Sequence, residues 1–458
     1  MIFVNPDCYQ GFRFPSLGML SIAANLRANG LPAHYVDCNF EPDWKRRLAA
    51  LVREDSLIGI TANILSIKPA LELSRHIRAA HPDARIVMGG PYPTVEYEKL
   101  IPEAADIVVL GEGEDIAARL ARGGSLEEIP SIAFRANGGV AANPRTGLIM
   151  DLDALPFPAW DLGTIPRYRL PHTRKNPVLP VMTSRGCPFN CIFCGSDIIN
   201  GNRIRYRSVD SVLAEMDRMV NGYGVREIQF WDDNFTLNKN RAMELCEGII
   251  RAGHKGLCLS IPSGIKPDHG DDELFRTMAR AGFYFVCIAV ESGSQEVMSQ
   301  LGKKVDVSKV RETIRSVRRA GILTNGFFMI GLPFDTRETM EQTIAFARSL
   351  PLHQALFFIT IPFPGTDLHR LVSEKGRFLY SDEQQLYEDG YFMGRASYEM
   401  PGRFDAALVE AMYKKAYRSF FLQPGRLAAL ALKRIRSPKD IYYLLIKGLK
   451  VLFKGRQF

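Results

Sequence analysis

Hydrophobic positions change their period repeatedly along the chain, and each change marks an element. "MIFVN" is an apolar run of strand length, and "PSLGMLSIAANLRANG" spaces its apolar residues as a helix that Gly30 closes. "PAHYVDC" then reads as a strand, "WKRRLAALVRE" as a polar helix and "LIGIT" as a buried strand. "KPALELSRHIRAAHP" predicts a helix, "RIVMGG" a strand ending in paired glycines, and "DIVVLGEGED" a strand running into a loop. This β-α-β-α order predicts an α/β domain over residues 1–130 built on a parallel, doubly wound sheet. Ligands of such sheets lie beyond the carboxyl ends of the strands, here at "NPDCYQGFRFPS", "TANILSI", "GGPYPT" and "GEGED". Turn chemistry alone accounts for any one of these loops. Four on one edge, with glycines that let backbone approach closely, suit a nucleotide-like or corrin-like ligand.

Residues 131–175 read as a connector, with a hairpin ("SIAFRANGGVAANP") and an extended Pro-rich stretch ("LDALPFPAWDLGTIPRYRLP"). Over residues 176–389 strands and helices alternate again. "VLPVMTS", "EIQFWDD", "CLSIPSG", "FVCIAVESG", "GFFMIGLP" and "ALFFITIP" are the strands, and "SVDSVLAEMDRMVNGYG" and "DELFRTMARAG" are among the helices. Six strands of this kind predict a parallel α/β barrel, complete or partial. Residues 390–458 are helical and basic, as in "DAALVEAMYKKAYRSFFL", "GRLAALALKRI" and "KDIYYLLIKGLKVLFKG".

Charge sharpens this division. The net charge is +8, yet Ala411 to Phe458 carries 12 Lys or Arg against one acid, Asp440, so the rest of the chain is close to neutral. That excludes a whole-protein basic surface for nucleic acid, and no recognisable nucleic-acid-binding fold accompanies the tail. The tail places Tyr442, Leu445, Leu449 and Leu452 at helical spacing among Lys447, Lys450 and Lys454. This pattern suits an interfacial helix or, equally, a helix packed on the barrel with a solvated basic face. No run of about 18 apolar residues predicts a membrane span, and "MIFVNPDCYQG" does not read as a signal peptide. The expected location is cytoplasmic, with peripheral contact at the inner membrane surface if the tail is interfacial.

Eight cysteines are present, and three cluster: "SRGCPFNCIFCGS" spaces Cys187, Cys191 and Cys194 as CxxxCxxC directly after the first barrel strand. Cys8, Cys38, Cys246, Cys258 and Cys287 are scattered in apolar surroundings. The distribution fits a reducing compartment and a metal site, not a disulfide framework. Structural zinc wants four protein ligands, and ferredoxin motifs also supply four cysteines per cluster. Three thiolates on an iron–sulfur cubane leave one iron open, which is what a catalytic cluster needs.

This motif resembles the signature of the radical S-adenosylmethionine superfamily. The resemblance implies that Cys187, Cys191 and Cys194 bind three irons of a 4Fe–4S cluster and that S-adenosylmethionine chelates the fourth. One electron would then give a 5′-deoxyadenosyl radical. It also implies that Phe193 packs near the adenine. In "FWDDNFT", Asp232 and Asp233 match the strand end that contacts the cofactor's amino group, although Asp233 or Asn234 could instead cap the next helix. Glu291 in "VESGS" matches a further strand end, with Ala289 where the family usually has glycine. "MIGLP", "IPFPGT" and "RIRYRS" match further family positions.

The N-terminal segment resembles the cobalamin-binding domain of one subgroup through "PSLGMLSIAANLRANG", "MGGPYPTVE" and "VVLGEGED". It implies cobalamin contacts at Ser16, Ser66, Gly89, Gly90, Gly111 and Glu112. His34, His76 and His81 do not form the Asp-x-His-x-x-Gly motif that ligates cobalt in base-off domains. Methylthiotransferases, whose N-terminal domain carries three further cysteines, fit poorly, since only Cys8 and Cys38 lie there.

The implied activity is methylation of an unactivated carbon of a small-molecule or lipid-like substrate. A flavodoxin or ferredoxin would supply the electron. The alternatives are a non-methylating radical reaction (ring formation, contraction or oxidation) and a sensory module that holds the same cofactors as ligands.

Overall fold

The computed structural model describes residues 1–6, 14–101, 103–136, 138–380 and 394–426. The first unit contains β1 (Ile2–Asn5), α1 (Leu17–Ala28), β2 (His34–Asp37), α2 (Trp44–Leu51) and β3 (Leu57–Thr61). It continues through α3 (Ile67–Ala80), β4 (Arg85–Gly89), α4 (Pro91–Leu100), β5 (Ile107–Val109), α5 (Glu114–Arg122), β6 (Ile132–Ala136) and β7 (Gly139–Ala142). Its sheet runs β2-β1-β3-β4-β5-β6-β7, the first five strands parallel, with the order reversing between β1 and β3. The predicted doubly wound sheet is therefore present.

Two features differ from the sequence reading. The β6–β7 hairpin adds antiparallel strands to this sheet instead of standing in a connector, because Val108 and Val109 pair with Ala133 and Ile132. The stretch after "GG", read as a loop, opens α4, with Pro91 at its first turn, where the missing N–H costs nothing.

The Pro-rich stretch crosses between units but is not a solvated spacer. Trp160 and Tyr168 are buried in a core that includes Leu20 and Ala23 of α1 together with the barrel's Leu179 and Ile228. Two large rings thus fill the seam that an extended linker would leave open.

The second unit begins with β8 (Val178–Val181), β9 (Ser184–Arg185), α6 (Ser196–Asn200), β10 (Arg205–Tyr206), α7 (Val209–Asp217), β11 (Glu227–Phe230) and α8 (Lys239–Ala252). It continues with β12 (Cys258–Ile265), α9 (Asp272–Ala281), β13 (Phe283–Glu291), α10 (Gln295–Gln300), α11 (Val307–Arg319), β14 (Leu323–Ile330), α12 (Arg337–Ser349), β15 (Gln354–Ile359) and α13 (Asp367–Lys375). Strands β8-β11-β12-β13-β14-β15 form one all-parallel sheet, a partial (β/α)6 barrel. Local chemistry matches: α8, α9 and α11 are opened by the side chains of Asn238, Asp271 and Asp306, and Gly253 and Gly282 close α8 and α9 in left-handed conformations. Neither Asp233 nor Asn234 caps α8; Asn238 does.

A last helix, α14 (Ala406–Phe421), packs on α12 and β15. There Phe357 meets Tyr417 and Phe420 edge to face and stacks on Phe328. Because strand side chains alternate faces, Phe327, Met329 and Phe358 point the other way, into the barrel, where they are half-buried. The interfacial pattern at Tyr442 to Lys454 lies outside the described residues, as does Cys8. Among the described residues no helix is long and apolar enough to cross a membrane.

Candidate functional site

The cysteine loop leaves the carboxyl end of β8 through Gly186, whose φ of +85° and neighbours explain the residue. A Cβ there would lie 2.4 Å from the Arg203 carbonyl oxygen. The loop is then pinned from two sides. Ile192 N–H donates to the Leu301 carbonyl at 3.1 Å, and its own carbonyl accepts from Leu368 N–H at 2.7 Å. Within the loop, Cys194 N–H donates to the Cys191 carbonyl at 2.9 Å. Gly302 backs this turn so closely that a Cβ would sit 2.3 Å from the Asn190 carbonyl oxygen. Phe193 is half-buried against the barrel core.

The three thiols feel one another. Burial is the largest cause pushing the Cys191 thiol up to about 12; Cys194, Cys187 and Glu291 add to it and Lys303 opposes them. Burial likewise raises Cys187, with Lys303 and Lys266 pulling the other way. A thiol at such a value is protonated at neutral pH unless a metal takes the proton's place, as a coordinating metal does outright. Among the described residues no three His, Cys, Asp or Glu side chains close around a point as a single ion requires. The donor set, three soft sulfurs on one loop without a fourth, fits three corners of a cluster better than a mononuclear ion.

The two adjacent acids after β11 have different surroundings. Asp232 is fully buried, and its carboxylate accepts from Thr183 N–H at 3.1 Å, Thr183 Oγ1 at 2.7 Å and Ser184 Oγ at 2.5 Å. Burial raises Asp232 above the usual carboxylate range, while those hydroxyls and Arg241 draw it back. Asp232, expected at S-adenosylmethionine, is engaged in fastening the start of the cysteine loop. Asp233 is half-buried, accepts from Asn200 Nδ2 at 3.4 Å, and raises the thiols of Cys187 and Cys194 by its charge. Glu291 ends β13 at φ +63°, a backbone cost that persists where the surroundings fix it. Its carboxylate accepts from Lys303 Nζ, which also donates to the Ala289 carbonyl at 2.7 Å. Gly302 and Lys303 were missed by sequence reasoning; "LGKKV", a Gly-Lys step after a short helix, was the available signal.

The first unit's strand ends open onto a cavity of about 460 Å³, walled by Gly89, Gly90, Gly111 and Glu112 on one side and by Arg185 and Trp231 of the barrel on the other. A Cβ on Gly90 would lie 2.5 Å from the Ala62 carbonyl oxygen, so the cleft depends on that glycine. Of the residues expected at this ligand, Ser16 stands at the start of α1 beside the lining residue Leu17. Ser66 does not face the cavity. It is buried in its own turn, its Oγ accepting from Asn63 N–H at 2.9 Å. Glu112 borders the cavity, but its oxygens are held by Arg185 and Arg205.

Two family models match: the radical SAM superfamily over residues 181–347 and the B12 binding domain over residues 10–121. An uncharacterized methyltransferase of Pyrococcus horikoshii is 31% identical over 418 residues, spanning 90% of this chain and 88% of that one. The chain belongs to the cobalamin-binding radical S-adenosylmethionine family. Its cofactors are therefore a 4Fe–4S cluster, S-adenosylmethionine and cobalamin, and it is an enzyme of the methyltransferase type. The anaerobic magnesium-protoporphyrin IX monomethyl ester cyclase of Cereibacter sphaeroides is 26% identical over 80% of this chain and 63% of its own. In fold, the chain resembles the radical S-adenosylmethionine methyltransferase TsrM of Kitasatospora setae, solved with cobalamin and a [4Fe–4S] cluster. The TM-score is 0.71 at 19% identity, covering 93% of this chain and 89% of that one.

Proposed function

We propose that this enzyme methylates an unactivated carbon of a substrate with an apolar body, bound between the first unit's cleft and the barrel mouth. The single observation that carries the reading is one loop of three thiols at a barrel strand end, opposite a glycine-walled cavity at the ends of a doubly wound sheet. When bound, the cluster with S-adenosylmethionine supplies a 5′-deoxyadenosyl radical, and cobalamin supplies the methyl group. Cys187, Cys191 and Cys194 would hold three irons, Phe193 would lie against the adenine, Asp233 would accept from the amino group, and Glu291, ion-paired with Lys303, would face the same cofactor. Gly89, Gly90 and Gly111, which line the cavity, would let the corrin approach the strand ends. Phe327, Met329 and Phe358 form an apolar inner wall, with Phe327 and Phe358 edge to face at 5.6 Å, which excludes water from the radical's path. An external one-electron donor of the flavodoxin or ferredoxin kind reaches the cluster.

Incubation of the reconstituted enzyme with reductant and apolar candidate substrates is expected to give 5′-deoxyadenosine, S-adenosylhomocysteine and a methylated product together. 5′-Deoxyadenosine with a rearranged, unmethylated product would instead support a ring-forming reaction, which the likeness to the cyclase favours. Neither product would leave the sensory reading.

Residues after Arg426 give the proposal its membrane arm: their lysine-bordered apolar pattern suits anionic lipid. A chain ending at Arg426 is expected to lose binding to anionic liposomes, measured by co-sedimentation, while it still assembles the cluster. Undiminished sedimentation would reject the membrane contact.

A further inference from the structure

Four charged side chains from the two units meet beside the cysteine loop, Glu114 and Arg205 buried and Glu112 and Arg185 largely shielded from solvent. Glu112 lies in the loop between β5 and α5, and Glu114 opens α5. Arg185 stands two residues before Cys187, and Arg205 lies on the strand paired with it. Arg185 donates to Glu112 at 2.8 Å and to Glu114 at 2.5 Å, and Arg205 donates to Glu112 at 2.8 Å. Arg205 is 1% exposed and Glu112 6%, so water contributes almost nothing to holding them.

The same carboxylate is tied to both flanks of the cysteine loop. Upstream the tie is Arg185 itself. Downstream, Arg205 donates to the carbonyl of Asn200, the last residue of α6, at 2.9 Å. Arg145, packed against Gly111, donates to the Ile198 carbonyl at 3.0 Å. Between them Ile149 is gripped at both ends: its N–H donates to Glu112 at 2.8 Å and its carbonyl accepts from Arg205. Apolar residues of equal volume commonly match or exceed a buried ionic set in stability. What charge adds is direction, since a guanidinium on a carboxylate sets distance and angle together.

We propose that Glu112, through Arg185 and Arg205, is a positioning residue that couples filling of the first unit's cleft to the placement of the cysteine loop. A ligand seated against Gly111 fixes the backbone of Glu112. Fixing Glu112 fixes Arg185 and the carbonyl of Asn200, and so both ends of the loop that carries the thiols. The inference rests on cobalamin filling that cleft.

The test is amide hydrogen exchange of the full chain carrying its cluster, with and without added hydroxocobalamin. In the wild type, cobalamin is expected to slow exchange in residues 86–90 and, through the brace, about tenfold in residues 184–187 and 198–201. In Glu112→Gln, slowing at 86–90 is expected to persist while slowing at 184–187 and 198–201 disappears. Arg205→Lys, which keeps the charge but loses the fork, is expected to give a partial loss and serves if the first variant does not fold. Full transmission to 184–187 in either folded variant overturns the proposal. So does loss of slowing at 86–90 in Glu112→Gln, which would make Glu112 a cobalamin contact. Slowing at 86–90 without any at 184–187 in the wild type also overturns it. No slowing at 86–90 in the wild type would instead overturn the cobalamin cleft itself.

Discussion

Alanine at any one of Cys187, Cys191 or Cys194 is expected to leave a folded chain with iron near background and no 5′-deoxyadenosine on reduction. The loss of turnover should be at least about 10³-fold, because the radical step has no slower substitute on this scaffold. Folding should survive since none of the three belongs to a core: Cys187 and Cys191 are half-buried and Cys194 is exposed. The loop is held by backbone bonds of Ile192 and Cys194 that alanine leaves in place. Alanine at Cys246, a fully buried core residue, is the control. It should keep its iron and lose on the order of 1 kcal/mol of stability for the removed sulfur. Iron analysis and 5′-deoxyadenosine chromatography read the two classes apart; iron loss on Cys246→Ala with none on Cys191→Ala would reverse the assignment.

The second large effect separates two neighbours that the sequence alone treats alike. Asp232→Ala is expected to destabilise the chain by about 3 kcal/mol, because Thr183 N–H, two hydroxyls and Arg241 lose a buried partner. Asp233→Ala should change stability by less than about 1 kcal/mol, since the hydrogen bond its carboxylate accepts from Asn200 is long, at 3.4 Å. It should instead weaken S-adenosylmethionine binding at least about tenfold, for loss of a charge-assisted hydrogen bond. Denaturant unfolding and ligand titration check the pair. Equal stability of the two variants would contradict the division of labour.

That pair also marks how far sequence reasoning reached. Period and spacing disclosed the doubly wound sheet, the six barrel strands and the cysteine loop, because strand alternation and ligand spacing are local in sequence. Glycines 89, 90 and 111 could be placed at the cleft for the same reason: they end strands. Hidden were contacts between distant segments. Nothing near Asp232 announces that its partners lie about fifty residues earlier, and nothing near Glu112 announces Arg185 and Arg205. The hairpin was read as connector because a strand's sheet partner is not written in its own pattern, and Trp160 was read as linker because the prolines around it masked its burial. Lys303 escaped notice because a lone lysine after a short helix is ordinary until Glu291 stands beside it.

The most direct test of the central claim is the electron paramagnetic resonance spectrum of the reduced, anaerobically reconstituted chain before and after S-adenosylmethionine is added. With three thiolates and an open iron, about four irons per chain are expected, and the spectrum should shift on addition. A spectrum indifferent to S-adenosylmethionine, or iron retained when all three cysteines are replaced, would contradict the account.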